Sequence, residues 1–344
     1  MRLNVNSVVL AATVFAAAAG LAAHPALADR LDDVKARGFV QCGVTDGVPG
    51  FSEIGADNDW AGLEVDYCRA IAAALFNDPK AVRFTSTTTT DRWQALSSGA
   101  IDVLARTSTW TMMRDTSLKV SFVGTLYYDG QAFMVKKDSG ATTVHDLDKA
   151  TICIEQNTTT ALNVDDFFGT NKLTYTPLTF AGHDETVKAF EDGRCSAYTT
   201  DASALAADRT QFPNPADYII LPETISKEPL AIVVAEGDDR WFKVARWVYF
   251  ALLDADELGV TQKNIDEMVG SDSPEIKRLL GVGDEDFGAP LGLTKDWAYR
   301  LIKAVGNYDE IFQRNVGPNT PLALQPGLNA LWKDGGIQYA PPIR

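Results

Sequence analysis

Two side chains of opposite charge, Arg114 and Asp201, are the residues of this sequence best suited to binding chemistry. Arg114 closes the stretch 107–114, which follows a predicted buried strand and contains the hydroxyl residues Thr107 and Thr109. A guanidinium presents a planar pair of donors that fits a carboxylate, and ligands of open α/β sheets usually meet the loops at strand ends. The stretch therefore predicts an anion site, although most arginines are solvated surface residues.

The partners for a ligand with two charges come later in the chain. Thr158 and Thr159 begin a predicted helix, and the first N–H groups of a helix bind anions. Asp201 follows a predicted strand and could bind an ammonium group, although an aspartate before a helix more commonly serves as its N-cap. Because an unpaired buried charge costs several kcal/mol, a closed site for a zwitterion needs both Arg114 and Asp201.

Two similar series of strands and helices are predicted to position these residues. Residues 39–105 alternate strand, helix, strand, helix, strand, which indicates a parallel sheet with right-handed crossovers. The alternation restarts at about residue 151, and residues 93–101 align without gaps with residues 187–195. We therefore predict an α/β protein with two lobes, each containing a mainly parallel sheet.

The order of the predicted strands suggests that one lobe is inserted into the other. If the strand at 229–234 lies beside the strand at 130–135, the chain leaves the first lobe and later returns to it. This arrangement predicts lobe 1 at 29–137 plus 229–344, including a helical C-terminal extension, and lobe 2 at 138–228. A hinge made of two segments permits closure around a ligand.

The N-terminus has the pattern of a signal peptide over residues 1–28. Arg2 precedes an alanine-rich apolar run, and Ala26-Leu27-Ala28 matches the cleavage pattern of small residues. An uncleaved anchor helix is the alternative, but the run is short for a bilayer span of ~18 or more residues. We expect a mature, monomeric chain from Asp29, exported to the periplasm.

The charge of the chain excludes several partners. The formal net charge is -15, from 31 basic and 46 acidic residues. Removing residues 1–28 takes away one charged residue, Arg2, so the mature value is -16. A charge of this sign argues against nucleic acids and anionic lipid surfaces, and leaves small ligands open.

Four cysteines make disulfides possible in an oxidising compartment: Cys42, Cys68, Cys153 and Cys195. Of the three possible pairings we favour Cys42–Cys68 and Cys153–Cys195, because each pair stays inside one predicted domain. Four free buried thiols are the alternative. The sequence lacks Cys-x-x-Cys and its histidines are scattered, so we expect neither a metal nor another cofactor.

Several short pieces within residues 38–255 together have a family likeness. They are Gly62-Leu63-Glu64-Val65-Asp66, Leu96-x-x-Gly99-x-Ile101-Asp102-Val103, Thr109 to Arg114, Gln156-Asn157-Thr158-Thr159 and Thr200-Asp201-Ala202. In these pieces the sequence resembles the polar amino acid family of periplasmic substrate-binding proteins of ABC transporters. Its tail resembles the branch that binds L-amino acids generally.

The resemblance implies a two-lobed periplasmic-binding-protein fold of type II and a set of ligand-binding residues. Arg114 matches the carboxylate-binding arginine of the family, and Asp201 matches its ammonium-binding aspartate. Thr109 and Thr159 match residues that contact the α-amino and α-carboxyl groups. The candidate site is completed by Thr107, Thr158, Phe51 and Thr89.

One departure from the family pattern bears on specificity. Relatives that select basic side chains hold them between two aromatic rings, whereas this chain has Val48 and Thr89 at those places. Phe51 keeps an aromatic ring nearby, at a position that matches a packing residue. We therefore expect broad specificity, with the α-amino and α-carboxyl groups recognised and the side chain held loosely.

The expected function is capture of L-amino acids by lobe closure and their delivery to the permease subunits of an ABC importer. The alternative is a periplasmic dehydratase on the same scaffold, since a fold does not specify a function. An enzyme would need a general acid or base, for which the candidates are Glu53, Glu155 and His183. A sensor domain would need a membrane span after residue 255, and no apolar run there is long enough.

Overall fold

The computed structural model describes residues 29–45, 47–55 and 57–344, so the predicted signal peptide lies outside the described residues. The strands are β1 (Val40–Val44), β2 (Glu53–Ile54), β3 (Trp60–Ala61), β4 (Val82–Ser86), β5 (Val103–Thr109), β6 (Val120–Asp129), β7 (Gln131–Lys136), β8 (Ala150–Glu155), β9 (Tyr175–Phe180), β10 (Ala197–Asp201), β11 (Tyr218–Ile220) and β12 (Glu228–Ala235). The helices are α1 (Arg30–Arg37), α2 (Leu63–Phe76), α3 (Arg92–Ser97), α4 (Met112–Ser117), α5 (Thr159–Thr170), α6 (His183–Glu191), α7 (Ala202–Gln211), α8 (Asp239–Glu257), α9 (Ile265–Met268), α10 (Pro274–Leu280), α11 (Trp297–Val305) and α12 (Tyr308–Asn315).

In the described part of the chain, two five-stranded sheets form the centres of two lobes. The first has the order β4-β1-β5-β12-β6, and the second has the order β11-β7-β10-β8-β9. In each sheet one strand, β12 or β7, runs antiparallel to both of its neighbours, and the other strands share one direction. The prediction of two mainly parallel α/β sheets is therefore confirmed.

The repeat seen in the sequence corresponds to a repeat in the fold. The series β1-α2-β4-α3-β5 and β8-α5-β9-α6-β10 each place their first strand between the other two. Gly99 and Gly193, at equivalent positions after the second helix of each series, both have a φ of +75°. Glycine adopts this left-handed conformation without the steric cost of a Cβ atom, which accounts for its presence at both helix ends.

The pairing of one predicted strand is wrong. The strand at 229–234 lies beside β6, at residues 120–129, and not beside the strand at 130–135. β7 belongs to the second sheet, where it pairs with β10 and β11. The sequence presents β6 and β7 as one nearly continuous stretch, and only their tertiary partners separate them. We therefore propose that lobe 2 spans about residues 131–227.

Gly130 is the residue at which the chain passes from one sheet to the other. A Cβ atom added there would lie 2.1 Å from Thr224 Cγ2 and 2.8 Å from the carbonyl oxygen of Ser226. These residues precede the strand that returns to lobe 1, so the two connecting segments pack against each other at Gly130. A side chain at this position would separate the two segments of the hinge.

The helical C-terminal extension packs on lobe 1. Trp241 of α8 is buried and donates through its indole N–H to the carbonyl oxygen of Asp102, at 2.8 Å. In the tail, Gln338 is buried and donates to the hydroxyl of Tyr308, at 3.0 Å. Trp332 and Tyr339, on either side of Gln338 in the tail, are exposed.

Each lobe contains one disulfide. Cys42 and Cys68 join β1 to α2 with a Cα–Cα distance of 6.3 Å, and Cys153 and Cys195 are joined with a Cα–Cα distance of 5.6 Å. The favoured pairing is confirmed, and the alternative of four free thiols is excluded. Within the described ranges, no helix is both long and apolar enough to cross a bilayer.

Candidate functional site

The candidate site is a cleft between the lobes, at the carboxyl ends of β5, β8 and β10. The two lobes touch across it, since the hydroxyl oxygens of Thr109 and Thr159 lie 3.4 Å apart. Seven of the eight predicted residues line the cleft: Thr89, Thr107, Thr109, Arg114, Thr158, Thr159 and Asp201. The geometry brings these residues together, and their contacts with a ligand remain a prediction.

Arg114 lies in the first turn of α4 and not in a loop. The predicted loop at 107–114 is wrong because β5 continues to Thr109 and α4 begins at Met112, with Thr111 as its N-cap. The Arg114 side chain is buried, and its Nη1 donates to the carbonyl oxygen of Thr109 at 2.9 Å. Burial lowers the pKa of Arg114, and the negative charges of Glu228 and Asp201 oppose that shift.

Asp201 ends β10 and immediately precedes α7. Asp201 is the N-cap residue of α7 by position, but its carboxylate makes no capping hydrogen bond with the helix, so its side chain does not serve as the cap. Asp129 takes this role, because its Oδ2 accepts the backbone N–H of Ser203 at 3.2 Å and also the Ser203 hydroxyl. Burial raises the pKa of Asp201, and the charges of Asp129 and Glu228 raise it further. A positively charged group of a ligand in the cleft would therefore stabilise the ionised form of this carboxylate.

The start of α5 supplies donors for an anion. Thr158 is the N-cap residue, but its side chain does not cap the helix and donates instead to the carbonyl oxygen of Glu155, at 2.7 Å. The first N–H groups of a helix otherwise lack partners, and the helix dipole makes this end positive. A ligand carboxylate held by Arg114 could accept these N–H groups as well.

Glu228 connects the two lobes beside the cleft and was not identified from the sequence. Its Oε2 accepts from Thr109 at 2.6 Å and from Thr159 at 3.0 Å, whereas its Oε1 accepts from Asn163 and Ser226, both at 2.6 Å. Thr159 and Asn163 belong to α5 in lobe 2, and Glu228 begins β12 in lobe 1. The predicted threonine hydroxyls are therefore already engaged with a carboxylate when the lobes are together.

Thr107 has a strained backbone at the edge of the cleft. Its φ is +37°, a value that a β-branched residue seldom adopts. Its N–H donates to the Glu64 carboxylate, which also accepts from Ser52. Burial raises the pKa of Glu64 to about 7, although the Thr107 N–H and the charge of Arg106 oppose this shift. Glu64, in the first turn of α2, therefore holds the conformation of Thr107.

Thr89, one of the two clamp positions, and Phe51, the nearby aromatic residue, lie in different places. Thr89 is buried in the cleft, and its hydroxyl donates across the lobes to Glu155 Oε1 at 3.0 Å. Phe51 does not line the cleft: it is buried in the core of lobe 1, with its ring edge-on to Tyr127 at 5.3 Å. Phe51 is therefore removed from the candidate site, consistent with its match to a packing position.

Two further arginines, Arg92 and Arg106, line the cleft and were not identified from the sequence. Both are buried, and Arg92 Nε has no hydrogen-bond partner among the described residues. Burial and the charges of Arg106 and Arg114 lower the pKa of Arg92. Arg92 aligns with an ordinary helix residue in the second repeat, so nothing in the local pattern marks it as a cleft residue.

The acid and base candidates for an enzyme are committed to other contacts or lie elsewhere. Glu155 accepts from Thr89 and lies 3.9 Å from Arg106 Nη2. His183 Nε2 lies 2.9 Å from Asp208 Oδ1. Glu53 does not line the cleft, and its Oε1 accepts the N–H of Gly50 at 3.1 Å. Among the residues with described positions, no group of three acidic, histidine or cysteine side chains could hold a metal ion.

Comparisons with known proteins agree with this architecture. Residues 40–335 match the family model of the bacterial extracellular solute-binding proteins, family 3. The general L-amino acid-binding periplasmic protein AapJ of Rhizobium johnstonii is 51% identical over 336 residues, which are 97% of this chain and 98% of that protein. The glutamate/glutamine/aspartate/asparagine-binding protein BztA of Rhodobacter capsulatus is 48% identical over 329 residues, covering 95% of this chain and 97% of BztA.

A solved structure has the same fold over nearly its whole length. It is described as an ABC transporter / periplasmic binding protein from Brucella ovis with glutathione bound. Its TM-score with this chain is 0.91 at 50% sequence identity, and the match covers 92% of this chain and 100% of that one. The two-lobed fold predicted from the sequence is confirmed by this match.

Proposed function

This chain belongs to the bacterial extracellular solute-binding proteins of family 3, and on that basis we propose that it captures L-amino acids in the periplasm for an ABC importer. The family and the similar proteins are solute-binding proteins and not enzymes. The dehydratase alternative therefore has no support. The protein acts by binding, closure and release, with no chemical step.

The observation that carries the proposal is the separation of charge across the cleft. Arg114 is supplied by lobe 1, and Asp201, with no capping bond to α7, is supplied by lobe 2. A zwitterion of one carboxylate and one ammonium group neutralises both when the lobes close. Because each charge is costly to bury alone, the same contacts favour the closed state only when the ligand is present.

The end of the cleft that would hold the ligand side chain supports a preference for some amino acids within a broad range. Val48 and Thr89 stand where basic side chains would need aromatic rings, and Arg92 has an unpartnered Nε. A side-chain carboxylate or amide oxygen would accept this donor, which no apolar side chain can do. We infer that acidic and amide side chains bind more tightly than aliphatic ones, and that basic side chains bind most weakly.

We expect this protein to be a monomer that docks on the permease subunits of an ABC importer in the membrane. Exposed apolar side chains lie near the cleft on both lobes: Met112 and Met113 at the start of α4, and Leu162 in α5. Their relative positions change when the lobes close, so these side chains present a different surface to a permease in the open and closed states.

Substitution of Arg114 tests the proposal. Arg114→Ala strands a ligand carboxylate, and we expect it to cost at least ~2–3 kcal/mol of amino-acid binding, or roughly 30- to 150-fold in Kd. Isothermal titration calorimetry with L-glutamate, L-glutamine and L-leucine measures this loss. The control is Arg83→Ala, which removes an exposed arginine from β4. Unchanged affinity in the Arg114 variant would contradict the assignment.

A further inference from the structure

A second cavity lies on lobe 1, outside the cleft, between the last turn of α8 and the C-terminal tail. Its volume is about 190 Å³, and its walls include Asp254, Glu257, Glu275, Trp332 and Tyr339. Pockets for drug-sized ligands measure roughly 300–1,000 Å³, so this cavity suits a molecule of a few heavy atoms. None of these residues takes part in the site described above.

Asp254 is the group in this cavity that lacks a partner. The residue is 9% exposed, and its Oδ2 makes no hydrogen bond within the described chain. Burial first, and then the charges of Glu257 and Glu275, raise the pKa of Asp254 to about 7. A buried carboxylate without a donor is unfavourable, and a ligand that donates a hydrogen bond with positive charge would relieve it.

The position of the acidic residues strengthens the negative potential. Asp254, Asp256 and Glu257 all lie in the last turn of α8, which contains no basic residue. The helix dipole makes this end negative, so acids are unfavourable there and cations are favoured. Three basic side chains lie nearby. Arg278 donates through Nε to the carbonyl oxygen of Ile343 at 2.9 Å, Lys333 donates to the carbonyl oxygen of Glu257 at 2.8 Å, and Arg344 lies 3.9 Å from Glu275 Oε1. Of these contacts, that of Arg344 is with a carboxylate, and none is with Asp254.

Two exposed aromatic rings form the outer wall. Trp332 is 52% exposed and Tyr339 is 63% exposed, and their ring centroids lie 5.8 Å apart with an interplanar angle of 61°. The indole N–H of Trp332 donates to Glu257 Oε2 at 3.2 Å, which fixes the ring beside the carboxylates. Aromatic faces attract organic cations and also cover apolar chains.

We propose that this cavity binds a small aliphatic amine, with an ammonium group donating to Asp254 and the methylene chain lying on Trp332 and Tyr339. The carboxylates outnumber the single guanidinium in the walls, so the site favours molecules with ammonium groups and repels amino acids, which carry a carboxylate. A metal ion is a poorer match, because no three ligating side chains come together anywhere in the described residues. The ligand class therefore differs from that of the cleft.

The test uses the mature full-length protein and the probe 1,4-diaminobutane. Calorimetry is expected to give one site per chain in the wild type and at least a tenfold loss of affinity in both Asp254→Asn and Trp332→Ala. The cleft variant Asp201→Asn is expected to bind the probe as the wild type does. As a control for charge, butanoate, which has the same chain length and a carboxylate, is expected not to bind.

Thermal melting distinguishes a variant that has lost the binding site from one that does not fold. Asp254→Asn removes an unpartnered buried carboxylate, so the free variant is expected to melt at or above the wild-type temperature. The probe is expected to raise the melting temperature of the wild type and not that of this variant. The proposal is overturned if millimolar 1,4-diaminobutane does not bind, if Asp254→Asn binds it as tightly as the wild type, or if Asp201→Asn abolishes binding.

Discussion

Glu228→Gln tests whether a buried carboxylate beside the cleft controls closure. Glutamine has the same shape as glutamate, so the change removes the charge and leaves the volume intact. Of the hydrogen bonds that Glu228 accepts, those from Thr159 and Asn163 cross from lobe 2 to lobe 1. These two contacts form when the lobes come together, and Glu228 itself does not line the cleft.

The expected effect follows from the number of crossing bonds. A hydrogen bond to a charged group contributes about 1.5–3 kcal/mol and a neutral one about 1 kcal/mol, so losing the charge costs about 1 kcal/mol per bond. Two crossing bonds correspond to about 2 kcal/mol less stabilisation of the closed state, or roughly a 30-fold increase in Kd. The increase should be the same for every ligand, because the network acts on the lobes and not on the ligand side chain.

Calorimetry with L-glutamate, L-glutamine and L-leucine measures this uniformity. Small-angle X-ray scattering at saturating ligand shows whether the variant still closes. Glu236→Gln is the matched control, since it makes the same chemical change at an exposed residue just after β12. Wild-type affinity for all three ligands, or a loss confined to L-glutamate, would refute the role of Glu228 in closure.

Three further predictions concern specificity and stability. Arg92→Met is expected to weaken L-glutamate and L-glutamine at least tenfold more than L-leucine, because it removes the unpartnered donor in the cleft; equal losses in calorimetry would contradict this. Replacing Cys42 and Cys68 by serine opens a loop with a sequence separation of 26 and should lower the free energy of unfolding by about 3.5 kcal/mol, measured by urea denaturation. Burial alone would lower the pKa of His183, but the charge and hydrogen bond of Asp208 outweigh it and raise that pKa to about 9. Stability from this pair is therefore complete below about pH 6.5 and lost as the pH rises through 9, and His183→Gln should flatten that part of the curve.

The local sequence determined the elements and their repetition. Helix α2, strand β1 and the paired glycines Gly99 and Gly193 follow from hydrophobic period and backbone conformation, which depend on residues close in the chain. The family likeness of the strand-end pieces then identified Arg114 and Asp201 as candidates. The predicted elements and their repetition are confirmed, because those inferences used patterns that do not require knowing which strands pair. The binding roles of Arg114 and Asp201 stay predictions.

The tertiary structure decided the partners of those residues. Asp201 lacks a capping bond to α7 because Asp129, 74 residues from Ser203, caps that helix. Glu228 accepts a hydrogen bond from Thr109, 119 residues away in the chain, and no local sequence pattern predicts that contact. The placement of β7 in the second sheet, the burial of Phe51 and the position of Arg92 at the cleft are of the same kind. Each depends on which surfaces pack together, and the spacing of neighbouring residues does not determine packing between distant parts of the chain.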